Sequence, residues 1–427
     1  MINQYLRYFI ISALFFSFSF VNARAEEILV WQDCIKEAAK NHPDLIAAEE
    51  QVKQSEAAEK ITASILFPQV TGSLNASTAK SGTDKAPANT ADSYNYGVSG
   101  TQLIFDANKT VNNVRAAAEN IKAYQENFRY TSATVRYGLR SAFINLLTAQ
   151  ENLEITQQIY DIRRGNLELI TLRYESGLEH KGALLTAQAD LADAQYKINL
   201  AKRNVEVYQR QLIKEMGRRE FVLLAVKGNF SVRDSAKDKP NFATLTKNNP
   251  SLMQIIAQKN SAEFSLRAAY ANFSPTLNAA AGANKSGTKW EPKGNQWNLG
   301  LSLSMPIFEG GLRFAQVAQA RALLDQLQEN ERSIRDSLIY TLEQTWAALQ
   351  DAQENVGVQK AQLIATEERS KIAQAQYSIG FISFDNWTII EDNLVKAKSA
   401  YLTAQSAALL AEAKWIQAKG ETLEYEN

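Results

Sequence analysis

QWNLGLSLSMPIF, Gln296–Phe308, decides the fold. Trp297, Leu299, Leu301, Leu303 and Met305 alternate with Asn298, Gly300, Ser302 and Ser304, the period of two expected of a strand with one apolar face. The polar face is the informative one, because it carries small neutral residues instead of Lys and Glu. A soluble sandwich would also alternate. A neutral Ser, Asn and Gly face suits the water-filled side of a membrane barrel, with Trp and Leu turned to lipid.

Three more segments read the same way. Tyr94, Tyr96 and Val98 alternate with Asn95, Gly97 and Ser99; Val70, Leu74 and Ala76 with Gln69, Thr71, Ser73 and Asn75; Leu277, Ala279, Ala281 and Ala283 with Thr276, Asn278, Ala280 and Gly282. The predicted barrel strands are about 66–79, 93–105, 273–285 and 296–308, with polar Gly- and Pro-bearing loops at Lys80–Asp92 and Ser286–Asn295. Tyr94, Tyr96 and Trp297 lie near strand ends, where an aromatic girdle belongs. Four strands cannot close a barrel, and open edges are not tolerated in lipid, so the barrel must be shared between chains. Two chains would give about eight strands around a plugged lumen, and three would give about twelve around a pore.

The remainder is helical. From Asn108 to Ser176 there is no proline, and only Gly138 and Gly165 weaken a helix that would run about 100 Å if unbroken. Leu139, Ala142, Phe143, Leu146, Leu147, Ile155, Ile159 and Ile162 keep three-and-four spacing, as do Leu338, Leu342, Trp346, Leu349 and Val356 in a second such stretch. Taken alone, these helices also fit a soluble rod.

The chain repeats itself. NHP at Asn41–Pro43 answers NNP at Asn248–Pro250 at an offset of 207, whereas AQEN at Ala149 and Ala352, and YESG at Tyr174 and YSIG at Tyr377, are separated by 203. One four-residue deletion in a loop reconciles the two offsets. The predicted organisation is a signal peptide over 1–25, a first repeat over 26–217, a linker over 218–247, a second repeat over 248–420 and a tail over 421–427. The signal is read from Arg7, the apolar run Tyr8–Val21 and the small-x-small site Ala23–Ala25.

A chain of 427 residues with a net charge of 0 and 45% hydrophobic residues is neither disordered nor a basic nucleic-acid binder. Cys34 is its only cysteine, so no internal disulfide or thiolate cluster is possible, and a small buried helical residue is expected there. The two histidines, His42 and His180, belong to no spaced ligand set, and Gly310–Gly311 precedes no phosphate-binding Lys-Ser/Thr. No cofactor, metal site or catalytic group is expected, and the chain is not read as an enzyme.

The N-x-P openings, LIFDANK from Leu103, PIFEGGLR from Pro306, RYESGL from Arg173, QYSIGF from Gln376, and the closing MG and KG at Gly217 and Gly420, duplicated and in order, resemble the TolC family of outer-membrane efflux proteins. The resemblance implies a mainly α fold with a membrane β part: a homotrimer with a 12-stranded barrel in the bacterial outer membrane and a long α-helical barrel projecting into the periplasm. It implies an exit duct for drugs, other small toxic compounds or secreted proteins, served by a periplasmic adaptor and an inner-membrane pump, proton-driven or ATP-driven. It places residues 218–247 in an equatorial belt, and Gly177, Leu178, Gly380 and Phe381 at a periplasmic tip that meets the adaptor. The family's gate lock falls here on Gly182, Ala183 and Ile382, and its aperture acids on Asn386 and Ile389, so this sequence departs from the family's pattern for both the lock and the acid rings. Glu179 and Asp385 are the candidate substitute acids; their ordinary role would be capping. The rival reading is a periplasmic helical scaffold or adaptor without a pore.

Overall fold

The computed structural model describes residues 27–83, 86–232 and 239–423, so the expected signal peptide lies outside the described residues. In chain order the elements are β1 (Glu27–Leu29), α1 (Trp31–Asn41), α2 (Pro43–Ala63), a short 3-10 turn (Ser64–Leu66), β2 (Gln69–Thr83), β3 (Ala86–Phe105), α3 (Lys109–Glu175) and α4 (Lys181–Met216). There follow β4 (Leu224–Val226), α5 (Phe242–Thr246), α6 (Pro250–Ala271), β5 (Thr276–Gly287), β6 (Gly294–Ser304), α7 (Leu312–Ser378) and α8 (Phe384–Lys419). The repeat is metrical as well as verbal: α3 and α7 both have 67 residues, and α4 and α8 both have 36.

The repeated phrases are helix punctuation. In each N-x-P, the residue before proline caps a helix whose first position is the proline: His42 Nδ1 accepts the Asp44 N–H at 3.2 Å and Asn249 Oδ1 accepts the Ser251 N–H at 3.0 Å. Gly217 and Gly420 end α4 and α8 with positive φ of 76° and 79°. The strand-to-helix junctions need two consecutive left-handed residues, Ala107 and Asn108 in the first copy and Gly310 and Gly311 in the second. Alanine holds that conformation at a cost of about 1 kcal/mol, which the glycine pair avoids.

The chain folds as two compact units. The unit containing Ala39–Gly138, Val232–Val358 and Ala407–Asn427 carries a four-stranded antiparallel sheet in the order β2-β3-β5-β6. Its register pairs Leu74 with Tyr96, Tyr96 with Lys285, Val98 with Ala283, Ala283 with Trp297, and Ala281 with Leu299. The apolar positions read from the sequence therefore share one face, apart from Met305, which lies just beyond the end of β6 at Ser304. That face is uncovered: Trp297 is 81% exposed, Leu299 76% and Val70 69%. Asn75, Asn95, Asn284 and Gln296 form the other face, with Ser73, Gly97, Ser99, Gly282 and Asn298.

The expected loop over Lys80–Asp92 is corrected. The ladder continues through Thr78↔Asp92, Lys80↔Thr90 and Ser81↔Asn89, so the first hairpin outgrows the second. Backbone pairing is indifferent to side-chain polarity, and the Thr78 hydroxyl donating to Asp92 at 2.7 Å adds a cross-strand tie. Elsewhere in this unit Phe242, Leu342, Leu349 and Trp415 form an apolar cluster joined by Leu245 and Trp346.

In the unit containing Met1–Ala38, Leu139–Ser231 and Gln359–Ser406, β1 and β4 pair in parallel, Glu27↔Leu224 to Leu29↔Val226. Sequence reading missed this pair, because three-residue strands carry no usable period. The Arg218 guanidinium clamps it, donating from Nη1 and Nη2 to Glu27 at 2.6 and 2.9 Å and from Nη2 to Glu37 at 2.8 Å. That hydrogen bonding holds the Glu27 carboxyl below the ordinary range. Cys34 is fully buried on α1, and burial pushes its thiol up to about 12. Among the described residues no helix is long and apolar enough to cross a membrane.

Candidate functional site

The two turns that close α3 and α7 have one construction. Gly177 and Gly380 adopt φ of 70° and 79°, so each chain reverses without a Cβ clash. The Leu178 N–H reaches the Arg173 carbonyl at 2.8 Å and the Gly177 N–H the Tyr174 carbonyl at 3.0 Å; Phe381 and Gly380 repeat this with Gln376 and Tyr377 at 2.8 and 3.0 Å. These are Schellman caps, which satisfy the last carbonyls of each helix. Such caps usually fold the residue after the glycine back onto the helix. Here Leu178 and Phe381 remain 67% and 75% exposed, and Ile379 is exposed beside them.

Behind the turns lies an apolar cluster of Ile170, Ala183, Ala187, Ala373, Tyr377, Phe384 and Trp387. Tyr377 stacks flat on Trp387 with ring centroids 4.4 Å apart, and the Arg173 guanidinium sits 4.8 Å over the tyrosine ring. Arg173 Nη1 also donates to the Tyr377 carbonyl at 3.3 Å. The Tyr377 hydroxyl donates to Glu179 Oε2 at 2.8 Å, tying the turn after α3 to the end of α7. Burial pushes the Tyr377 phenol up, and the Glu179 carboxylate adds to the shift, so Tyr377 stays a donor at neutral pH. Arg173 Nε and Trp387 Nε1 are buried with no acceptor. Each such group costs about 1–3 kcal/mol, which the apolar packing around it has to offset.

Glu179 is thus turned toward Tyr377, its side chain only 10% exposed. Asp385 is exposed in the first turn of α8, where its charge complements the helix dipole, and Ser383 Oγ accepts the Asn386 N–H at 3.4 Å. The matching position in the first copy is His180, whose Nδ1 accepts the Ala183 N–H at 3.1 Å. Both histidines of the chain therefore cap helices. Tyr94, Tyr96 and Trp297 lie on the uncovered apolar sheet face, with Tyr94 edge-on to Trp290 at 6.0 Å.

Sequence reading missed a polar cluster in the same unit. Arg163 of α3, 11% exposed, bonds Asp190 of α4 at 3.5 Å and Asp392 of α8. Next to it Glu391 is buried and accepts the Ser370 hydroxyl of α7 at 2.5 Å. Burial raises the carboxyls of both Asp190 and Glu391. A hollow of about 10 Å³ adjoins them, room for no more than about one water. The five residues come from four helix segments separated in sequence, Glu391 and Asp392 being neighbours, and follow no motif. No sequence signal marks them, because at the repeat offset Asp190 faces Asn393, Glu391 faces Gln188 and Asp392 faces Ala189.

The profile of the family described as "Outer membrane efflux protein" matches residues 34–218 and 243–421. The chain is 20% identical over 393 residues to outer membrane efflux protein BepC of Brucella suis, covering 90% of this chain and 83% of BepC. It is 24% identical over 259 residues to outer membrane protein TolC of Escherichia coli, covering 56% of this chain and 52% of TolC. Among solved structures, the CmeC outer membrane channel of Campylobacter jejuni superposes with a TM-score of 0.77 at 19% identity, over 92% of this chain and 87% of CmeC. Taken with the duplicated helices and the sheet whose apolar face is bare, the match to most of the chain settles its relationship: it belongs to the outer membrane efflux protein family and resides in the bacterial outer membrane, with its helices in the periplasm.

Proposed function

We propose that three copies of this chain form the exit duct of a tripartite export system, pooling twelve strands into one outer-membrane barrel continuous with a periplasmic barrel of helices. The observation that carries the reading is the sheet: β2 and β6 are open edges, one face is bare and apolar, and the other is neutral and polar. Open edges in lipid are satisfied only by closure, and neighbouring copies supply the missing strands. The duct is passive and performs no chemistry, its cargo being moved by an inner-membrane pump, proton-driven or ATP-driven, through a periplasmic adaptor. In this reading residues 218–247 link the repeats as a belt, 233–238 lying outside the described residues.

The turns at Gly177 and Gly380 are the adaptor-docking tip in this reading. Support comes from their exposed Leu178, Ile379 and Phe381, large apolar side chains with no cover in the chain itself. The tie between Tyr377 and Glu179 would hold the tip closed in place of the absent family lock, and Asp385 would remain free to line the aperture. Two packings that differ by a few kcal/mol suffice for adaptor binding to shift the tip open.

In-cell photocrosslinking from a reactive residue at Phe381, read by mass spectrometry, tests this. An adaptor encoded with a proton-driven pump assigns small toxic compounds as cargo, and one encoded with an ATP-driven exporter assigns secreted proteins. A protein soluble without detergent, with no heat-sensitive trimer, would overturn the duct in favour of a scaffold.

A further inference from the structure

Two lysines that do not belong in hydrocarbon stand at the sheet face read as lipid-facing, one on the face and one in the adjoining turn. Lys285 stands in the same row as Tyr96 and Asn295, one row from Ala283 and Trp297, and Lys293 lies in the turn between β5 and β6. Both are exposed, and neither forms an ion pair among the described residues. They line a hollow of about 550 Å³ with Leu74, Tyr96, Trp290 and Asn295, and Glu291 is the one acid on its rim. A second hollow of about 470 Å³ adjoins it, floored by Ala283 between Val98 and Trp297, and shares Tyr96, Lys285 and Asn295 with the first. These hollows sit at the hairpin end of the strands, away from the ends that pass into the helices.

A cationic, aromatic-rimmed cup over an apolar trough has the chemistry of one ligand class. We infer that this surface binds a lipid with a phosphorylated headgroup from the outer leaflet. The phosphate rests between Lys285 and Lys293, an acyl chain lies in the trough over Ala283, and Trp290 and Tyr96 pack at the headgroup boundary. Two lysines against one glutamate leave a net positive rim, complementary to an anion. Seating a lipid there also accommodates Lys285 beside the apolar Ala283 and Trp297, its ammonium reaching the interface while its stem covers the sheet. The inference rests on the outward orientation of this face in the proposed barrel.

Native mass spectrometry of the full-length protein in non-ionic detergent tests it, with bis-phosphorylated lipid A as probe and phosphatidylcholine and inorganic phosphate as competitors. Each lysine near an anionic group contributes a factor of about 5, so the double variant Lys285→Gln/Lys293→Gln is expected to bind lipid A at least about tenfold more weakly. Lys289→Gln, in the same turn but outside the hollow, is expected to bind as the unaltered protein does. Equal binding by the double variant, equal retention of phosphatidylcholine, or displacement by millimolar inorganic phosphate would overturn the site. The same spectra report the trimer mass: a trimer without selective lipid refutes this site alone, whereas a soluble monomer refutes the duct.

Discussion

Tyr377 donates its hydroxyl to Glu179 across 2.8 Å while its ring lies flat against Trp387, so one side chain joins two helix turns through both a polar and an apolar contact. The quasi-equivalent Tyr174 is exposed, which makes the tie a property of one repeat only. The second copy could not form it, because the position matching Glu179 is Ile382, which offers no acceptor.

Replacing Tyr377 with Phe keeps the stack and removes the donor. A partly buried Glu179 oxygen then loses its partner, at a cost of about 1–3 kcal/mol to this packing. Planar-bilayer recordings at pH 7 are expected to show a larger conductance or longer open periods for the variant. In the unaltered protein the tie holds throughout neutral pH and weakens only as pH rises through the elevated phenol value, because its folded-state pKa is raised.

Glu391 has a raised carboxyl from burial, against which the Ser370 hydroxyl and Arg163 work. The folded chain therefore holds this proton more tightly than the unfolded chain. The corresponding stabilisation is complete below the ordinary carboxylate value and is lost as pH rises through the raised one. Glu391→Gln, which keeps an acceptor for Ser370, is expected to raise the thermal midpoint at pH 7.5 and to change it little at pH 4. Parallel unfolding curves across that range would refute the assignment.

At Gly97 a Cβ would meet the Asn284 Cβ at 2.5 Å and the Ala283 carbonyl at 2.6 Å, whereas at Gly300 nothing lies within 4 Å. Strands β3 and β5 must separate to admit the methyl group, costing about 1–3 kcal/mol or more. Gly97→Ala is expected to lower the temperature at which the proposed trimer dissociates in detergent, and Gly300→Ala to leave it unchanged.

Arg218 contacts two carboxylates with a planar fork, and an ammonium cannot reproduce that geometry. Arg218→Lys is expected to lose up to about 1 kcal/mol, the contacts being partly exposed, measurable as faster proteolysis around Glu27. The contribution of Glu27 is present above the ordinary carboxylate value and is lost as pH falls through its lowered one.

Periodicity carries far in this chain because its elements are long. Alternation in Gln296–Phe308 and three-and-four spacing after Leu139 leave little freedom in how strands and helices face, and positive-φ glycines at 177, 217, 380 and 420 mark four helix ends by local sterics alone. Recognition of the family came from the same phrases, each a cap or a turn whose sequence is dictated by backbone geometry. What periodicity does not encode is which polar groups meet. The approach of Tyr377 to Glu179, the enclosure of Arg163 by Asp190 and Asp392, and the seating of Arg218 between Glu27 and Glu37 join residues 181 to 229 positions apart, or 27 for the nearer acid. Such contacts follow from how helices lie against one another, and their energies are differences between desolvation and pairing that exist only once the chain is folded.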